Sequence, residues 1–463
     1  MFKSKLSKKL IPFAVVSSLA LGSLAGTFAT AEANGDSRRA EVKNVIFLIG
    51  DGMGVSYTSA YRYLKNTSTN EYVNGTYMDQ YLVGQQMTYP EDPAQNVTDS
   101  ASAATAMSAG IKTYNNAIAV DNDGSVVKTV LEAAKERGKA TGLVATSEIT
   151  HATPAAFGSH DESRKNMNAI ADDYYQDLIA GKHKIDVLLG GGTALFKRAD
   201  RDLTEEFKND GFSYVTNKKE LMADKNQQVL GLFAPGGMPK MIDRTEDIPS
   251  LEEMTNSAIN RLNKDKDGFF LMIEGSQIDW AGHDNDIVGA MSEMEDFDKA
   301  FKAAIEFAKK DKHTLVVATA DHSTGGFSIG SDGIYNWFGK PITAAKRTPD
   351  FMTAEIMKGA DVEETLKKYI DQNILALTPE EINAVKTSAT TKKPIEIDNA
   401  IENIFNKRSH TGWTTGGHTG EDVPVYAFGP AKERFMGQID NTDMAINIFN
   451  LLGYGKKNNH DND

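Results

Sequence analysis

Val45-Ile46-Phe47-Leu48-Ile49-Gly50-Asp51-Gly52-Met53-Gly54 is the stretch on which the fold turns. Five consecutive large apolar residues do not alternate between a wet and a dry face, so a strand built from them belongs in a sheet covered by helices on both sides. The run stops in a glycine-rich turn holding an aspartate, where backbone and side chain can approach an ion closely. Taken alone, a Gly-Asp-Gly turn is often only a turn.

Similar short runs recur at 142–146, 185–189, 229–233, 269–273, 315–318 and 425–428, and helical patterns at 126–137, 251–263 and 287–310 lie between them. This alternation predicts an α/β fold with a mostly parallel central sheet and helices on both faces. Residues 331–415 are less regular, carry a Thr/Lys-rich stretch at 387–393 and separate two strand-end motifs. They read as an irregular insertion near the C-terminal part, inside a single domain spanning 34–463. Residues 455–463 read as a polar tail, and no internal repeat is visible.

The chain opens with Lys3, Lys5, Lys8 and Lys9, then an apolar run of small residues over 10–28, then Ala31-Glu32-Ala33. That order is a secretory signal peptide over residues 1–33, with Ala29-Thr30-Ala31 as a second possible cut. Pro12 and the interspersed Ser and Gly residues suit a cleaved segment better than a membrane anchor. No later run is long and apolar enough to span a bilayer, so a secreted or extracellular protein without a membrane span is expected.

The 463 residues include no cysteine and carry a net charge of −14. An exported protein of this composition uses no disulfide, no thiolate zinc site and no lipidated cysteine, so any metal must rest on His, Asp and Glu. The acidic balance, stronger still once the signal lysines are gone, speaks against nucleic acid as a specific partner and against binding to anionic membranes. An anionic substrate would need positive charge supplied locally.

In open parallel sheets ligands bind beyond the carboxyl ends of strands. The polar residues of this sequence fall there: Asp51 after the first run, His151 and Thr153 after the second, Glu274 at the end of 269–273, and Asp321-His322 after 315–320. Thr98-Asp99-Ser100-Ala101-Ser102-Ala103 opens a helix of very small residues. It is an ordinary N-cap, yet it also puts a serine where the positive helix end favours phosphate and alkoxide. There is no Gly-x-Ser-x-Gly elbow, so a metal-activated serine fits better than a Ser-His-Asp triad. Asp279 and His283, four apart in Glu274-Gly275-Ser276-Gln277-Ile278-Asp279-Trp280-Ala281-Gly282-His283, share one face if that segment is helical and can grip one metal. Asp321 and His322 converge only if their strand has ended in the glycine-rich turn that follows, and His418 sits in the flexible Gly416-Gly417-His418-Thr419-Gly420. Of the nine histidines, His160, His183, His313, His410 and His460 have no such context.

Asp51 to Gly54, Thr98 to Ala101, Ala152-Thr153-Pro154 with Arg164, Glu274 to His283, Thr319 to His322 and His418 to Gly420 together resemble the alkaline phosphatases, in particular their secreted Gram-positive bacterial branch. The likeness runs over about 42–452 and lies in dispersed motifs in the right order, far more specific than any one of them. It implies a metal-dependent phosphoric monoester hydrolase that releases inorganic phosphate through a phosphoserine on Ser100. It also implies two Zn²⁺ per chain, one on Asp279, His283 and His418 and one on Asp51, Asp321 and His322. One Mg²⁺ per chain would sit on Asp51, Thr153 and Glu274. Arg164 matches the family's phosphate-gripping arginine, Asp99 the acid that positions it, and a homodimer is the family's common state. Five acids are then outweighed by three divalent ions and Arg164, so the loaded site attracts phosphate and the stripped one repels it.

Two positions depart from the form of the family that has an aspartate and a lysine there. His151 stands in the aspartate's place, where support of the third metal's ligands is favoured slightly over direct ligation. Trp280 stands in the lysine's place beside the substrate phosphate. The nearest rivals are a phosphodiesterase of the same superfamily, a sulfatase, disfavoured because its modified nucleophile usually derives from cysteine, and a non-catalytic binder of metal or phosphate.

Overall fold

The computed structural model describes residues 41–67 and 73–455. The expected signal peptide and most of the polar tail lie outside the described residues. Those that are described fall within one compact unit, and none of their helices is long and apolar enough to cross a membrane.

The centre of the structure is a ten-stranded sheet. Its strands are β1 (Asn44–Gly50), β2 (Leu82–Met87), β3 (Ala140–Glu148), β4 (Val187–Gly191), β5 (Ser213–Val215), β6 (Val229–Leu232), β7 (Phe269–Gly275), β8 (Thr314–Thr319), β9 (Val423–Phe428) and β10 (Gly437–Asp440). They lie in the order β10-β2-β9-β8-β1-β7-β3-β4-β6-β5. β9 runs antiparallel to both neighbours, and every other pairing in the sheet is parallel. A mostly parallel sheet with helices on its faces is what the alternation of apolar runs predicts.

β1 shows why. Every residue from Asn44 to Gly50 is buried, and the pleat divides the strand between two cores. Ile46 and Leu48 join one core, and Val45, Phe47 and Ile49 join the other. Burying each such side chain contributes about 1.5–3 kcal/mol, which no half-wet strand could gain. The first core is closed by α1 (Val55–Lys65), α5 (Leu251–Leu262) and α7 (Ile287–Asp311). The second is closed by α2 (Ser100–Ala109), α3 (Val130–Glu136), α4 (Ala152–Gly158) and α12 (Asn441–Leu451). α6 (Gln277–Asp284) follows β7 directly.

Some elements differ from the sequence reading. The helix expected at 126–137 begins only at Val130, because Thr129 and Glu132 form a reciprocal cap in which each side chain accepts the other's backbone N–H. β2 and β10 carry polar and glycine residues and gave no apolar run. Within 331–415 the chain is irregular up to Thr348 and then forms helices: α8 (Pro349–Met357), α9 (Val362–Tyr369), α10 (Pro379–Ala389) and α11 (Pro394–Ser409). Pro349, Pro379 and Pro394 stand in first turns, where a missing N–H costs nothing, so these prolines start helices and do not break them.

Because β1, β3, β7 and β8 are parallel, their carboxyl ends lie along one edge of the sheet. The residues leaving those ends make the site.

Candidate active site

Asp51 is the first residue beyond β1. Its backbone N–H donates to the Gly275 carbonyl at 3.3 Å, which ties the turn to the end of β7. The turn passes through Gly52 at φ 70°, and a Cβ there would lie 2.8 Å from the Asp279 Cα, so only glycine fits. The Gly52 N–H donates to Asp321 Oδ1 at 3.0 Å. β8 has ended at Thr319, and this release from the strand lets Asp321 and His322 reach the same centre.

Among the described residues, three groups each bring carboxylate and imidazole ligand atoms within 4.8 Å of one another: Asp51, Asp321 and His322; Asp279, His322 and His418; and Asp51, His151 and Glu274. His283 joins the second from the same face of α6 as Asp279. Its Nε2 is 3.3 Å from Asp279 Oδ2 and 3.2 Å from His418 Nε2. The residues expected on the two zinc ions are thus brought together. Thr153 and Glu274 are both fully buried, and His151, expected to support the third site, stands in ligating reach of it.

The site is short of hydrogen bonds. Both oxygens of Asp51, Asp321 Oδ2, Glu274 Oε1, Thr153 Oγ1 and His151 Nδ1 are buried with no hydrogen-bond partner among the described residues. Buried polar atoms without partners are costly, and several converging on common points are the mark of cation positions. The imidazoles of His283, His418 and His322 are anchored on their outer nitrogens. His283 Nδ1 faces the Gly416 carbonyl at 2.7 Å, His418 Nδ1 the Thr98 carbonyl at 2.8 Å, and His322 Nδ1 the Thr324 hydroxyl at 3.2 Å. A proton on Nδ1 of His283 and His418 leaves the Nε2 lone pairs facing inward, the orientation a metal requires.

Without metal the charges work against one another. Burial, then the charges of Asp321, Asp279 and Glu274, push the Asp51 carboxyl well above the usual carboxylate range. Burial raises Glu274 to about 7. Burial opposes ionisation of Asp279 as well, but the hydrogen bond from His283 and the neighbouring imidazole charges hold it below the usual range. The same hydrogen bond lifts His283 to about 9. Burial, then the Arg164 charge, lowers His151 to about 3, so it is a neutral imidazole.

Ser100 starts α2 and is 1% exposed. Its Oγ lies 3.2 Å from His322 Nε2, while that nitrogen is also 3.4 Å from Asp51 Oδ1 and 3.2 Å from Asp321 Oδ2. One nitrogen cannot hydrogen-bond all three oxygens, and no carboxylate orients it from behind as in a serine triad. All of α2 is buried, and its small side chains allow close packing on α4 and α12. Asp99 caps α2 by accepting the Ser102 N–H at 3.0 Å and pairs with Arg164 Nη1 at 3.0 Å. Arg164 Nη2 lies 3.2 Å from His151 Nε2, whose ring meets Trp280 edge-on at 5.6 Å between centroids.

Sequence reasoning missed the turn that holds this apparatus. Asn115 Oδ1 accepts from the Asp99 N–H at 2.9 Å and the Ser102 hydroxyl at 2.8 Å, and its Nδ2 donates to Gln95 Oε1 and the Val97 carbonyl. Asn116, at φ 80°, donates its N–H to Asp99 Oδ2 and accepts the Arg164 N–H. The Asn-Asn pair was the only signal available. Thr324, whose hydroxyl donates to Asp279 Oδ1, was likewise unread.

The alkaline phosphatase family model matches residues 42–454. The chain belongs to the alkaline phosphatase family. It is 72% identical over 458 residues to alkaline phosphatase 3 of Bacillus subtilis strain 168, covering 98% of this chain and 99% of that one. The cold-active alkaline phosphatase of the psychrophile Shewanella sp. superposes with a TM-score of 0.82 at 39% identity, covering 88% of this chain and 99% of that one. A His-to-Glu variant of the alkaline phosphatase from the Antarctic bacterium TAB5, solved with Mg bound in its M3 site, matches with a TM-score of 0.65 at 31% identity, covering 90% and 99%. As an alkaline phosphatase family member of this likeness, the chain is a phosphomonoester hydrolase.

Proposed function

We propose that this chain is an exported alkaline phosphatase that hydrolyses phosphate monoesters through a phosphoserine on Ser100, at a site for two Zn²⁺ and one Mg²⁺. The observation that carries the metal reading is the set of buried, unpartnered donor atoms around Ser100. Their chemistry suits the ions: imidazole with carboxylate for zinc at Asp279, His283 and His418 and at Asp51, Asp321 and His322, and hard oxygens for magnesium at Asp51, Thr153 and Glu274. His151, in reach of Asp51 and Glu274 and facing Arg164 through Nε2, is read as supporting that third position. When bound, the ions supply Lewis acidity that favours ionised serine and water oxygens and offsets phosphoryl charge.

The chain's own residues then do the rest. Ser100 Oγ attacks phosphorus in line as the leaving alkoxide departs with its electron pair, and water later attacks from the opposite side, returning the electron pair to Ser100 Oγ and freeing phosphate. The guanidinium of Arg164, oriented by Asp99, grips two phosphoryl oxygens, and the amino end of α2 stabilises their charge in both steps. Trp280 gives the phosphate site an aromatic wall in place of a second cation. We further infer that residues 1–33 are removed on export and that the enzyme works as a homodimer, as its family commonly does.

Rapid acid quench of the zinc- and magnesium-loaded enzyme with a labelled phosphate monoester tests this reading. Label should appear on Ser100, be absent in Ser100→Ala, and be lost on chelation. Full turnover by Ser100→Ala, or turnover indifferent to chelation, would overturn it.

A further inference from the structure

A second acidic centre lies between the end of α6 and the insertion helix α11. Lys240 is buried, and its ammonium pairs with Asp284 at 3.2 Å, with Asp286 at 3.8 Å and with Asp350. Asp398 and Glu402, one turn apart on α11, add two more acids that are 5% and 4% exposed. Lys240 is therefore set among five carboxyl groups.

Glu402 is the anomaly. Its Oε1 is buried without a hydrogen-bond partner among the described residues, as is Asp286 Oδ2, whereas Asp398 accepts from the Thr353 hydroxyl at 3.3 Å. Such a carboxyl must either keep its proton or face a cation. Burial, followed by the charges of Asp398, Asp286 and Asp284, drives it up to about 10 when no cation is present. Glu402 lines a cavity of about 490 Å³ together with Asp284, Asn285, Asn399, Asn403 and Trp413. Besides the Lys407 ammonium, the lining offers carboxylates, carboxamides and the Ser331 and Thr411 hydroxyls, and the carboxyl end of α6, which favours positive charge, borders the cavity. An oxygen-only donor set of mixed acid and amide character suits a hard, flexibly coordinated ion and not zinc.

We propose that Glu402 and Asp284, with the Asn399 and Asn403 carboxamides, bind a hard divalent cation of the Ca²⁺ type. The ion joins α11 to the end of the helix that carries Asp279 and His283, and Asp286 and Asp398 supply the surrounding negative charge. The binding is independent of the phosphatase reading, since none of these donors belongs to the groups around Ser100.

The test is Ca²⁺ binding by equilibrium dialysis and thermal unfolding of the full enzyme, loaded with Zn²⁺ and kept in excess Mg²⁺ so that the Asp51 centre is filled. Wild type is expected to bind about one further Ca²⁺ per chain and to unfold at higher temperature in its presence. Glu402→Gln, which keeps the size of a side chain that is neutral without the cation and should fold, is expected to lose the Ca²⁺-dependent rise and at least tenfold in affinity, and Asn403→Leu to weaken binding similarly. No Ca²⁺ bound by wild type, or equal binding by Glu402→Gln, overturns the proposal. Hydrolysis measured in the same samples without Ca²⁺ tests the phosphatase reading separately.

Discussion

The Asp99 carboxylate reaches Arg164 with one oxygen and the capped end of α2 with the other, so the acid that aims the arginine also fixes the helix bearing Ser100. Three substitutions test these roles. Arg164→Ala should lower kcat/KM for a chromogenic phosphate monoester by about 10- to 100-fold, as expected from losing hydrogen bonds to a charged group. Asp99→Asn keeps the cap on Ser102 but turns an amide NH2 toward the Asn116 N–H and the Arg164 guanidinium, so it, like Asp99→Ala, should cost about 1–3 kcal/mol of stability. Steady-state kinetics and thermal melts check both.

Asn115 is the hub of the same turn. Asn115→Ala leaves the Asp99 N–H and the Gln95 side-chain amide without their partner, so stability should fall by about 1–3 kcal/mol. Because the amino end of α2 then loosens, kcat should drop about tenfold even where the protein remains folded. Denaturant melts and kinetics below the melting temperature read the two effects apart.

Chelation should destabilise the protein as well as silence it. With the ions gone, the crowded carboxylates repel one another and Asp51 is the most strained. Asp51→Asn should therefore melt above wild type in chelator and below it in Zn²⁺ and Mg²⁺, where binding to the native state stabilises wild type by mass action. A crossing of the two melting temperatures is the expected result.

Acid stability should be traceable to a residue away from the site. Glu132 Oε1 accepts from His160 at 2.8 Å, and Lys184 lies 3.5 Å from the same oxygen. Burial works against ionisation, but His160 and Lys184 outweigh it and hold Glu132 at about 2. A carboxyl depressed on folding contributes its stability above its unfolded pKa near 4.5 and loses it as pH falls through 2; the difference is worth about 3 kcal/mol. Glu132→Gln should destabilise the protein by about 2–3 kcal/mol at neutral pH and flatten the fall in stability between pH 4.5 and 2, seen by urea titration at stepped pH.

The central strands were legible because β1, β7 and β8 are apolar on both faces, and the acids and histidines at their ends were legible because chemistry concentrates there. β2 and β10 were not, since Leu82–Met87 and Gly437–Asp440 owe their extended form to neighbours and not to their own residues. The helices between Pro349 and Ser409 were not legible, because most of them, like the Thr/Lys-rich run at 387–393, carry weak apolar periodicity. Within the site, Asn115 and Thr324 act on other side chains across the fold, and no local pattern reports such a bond. His160 and His183, set aside from the sequence, pair with Glu132 and Asp210 in places remote from Ser100.

β1 stands at the middle of the sheet, but Val45 is paired on one side by Phe270 and on the other by Leu315. β2 waits longer still, for Val423 to Tyr426. A chain that emerges from its amino end thus makes its most apolar strand first and its partners last. Long-range pairing of this kind slows folding and leaves sticky segments bare in the meantime. Until the residues around His418 and β9 have arrived, neither the sheet nor the cluster at its edge can be complete, so a competent site reports that the chain has been made at least that far.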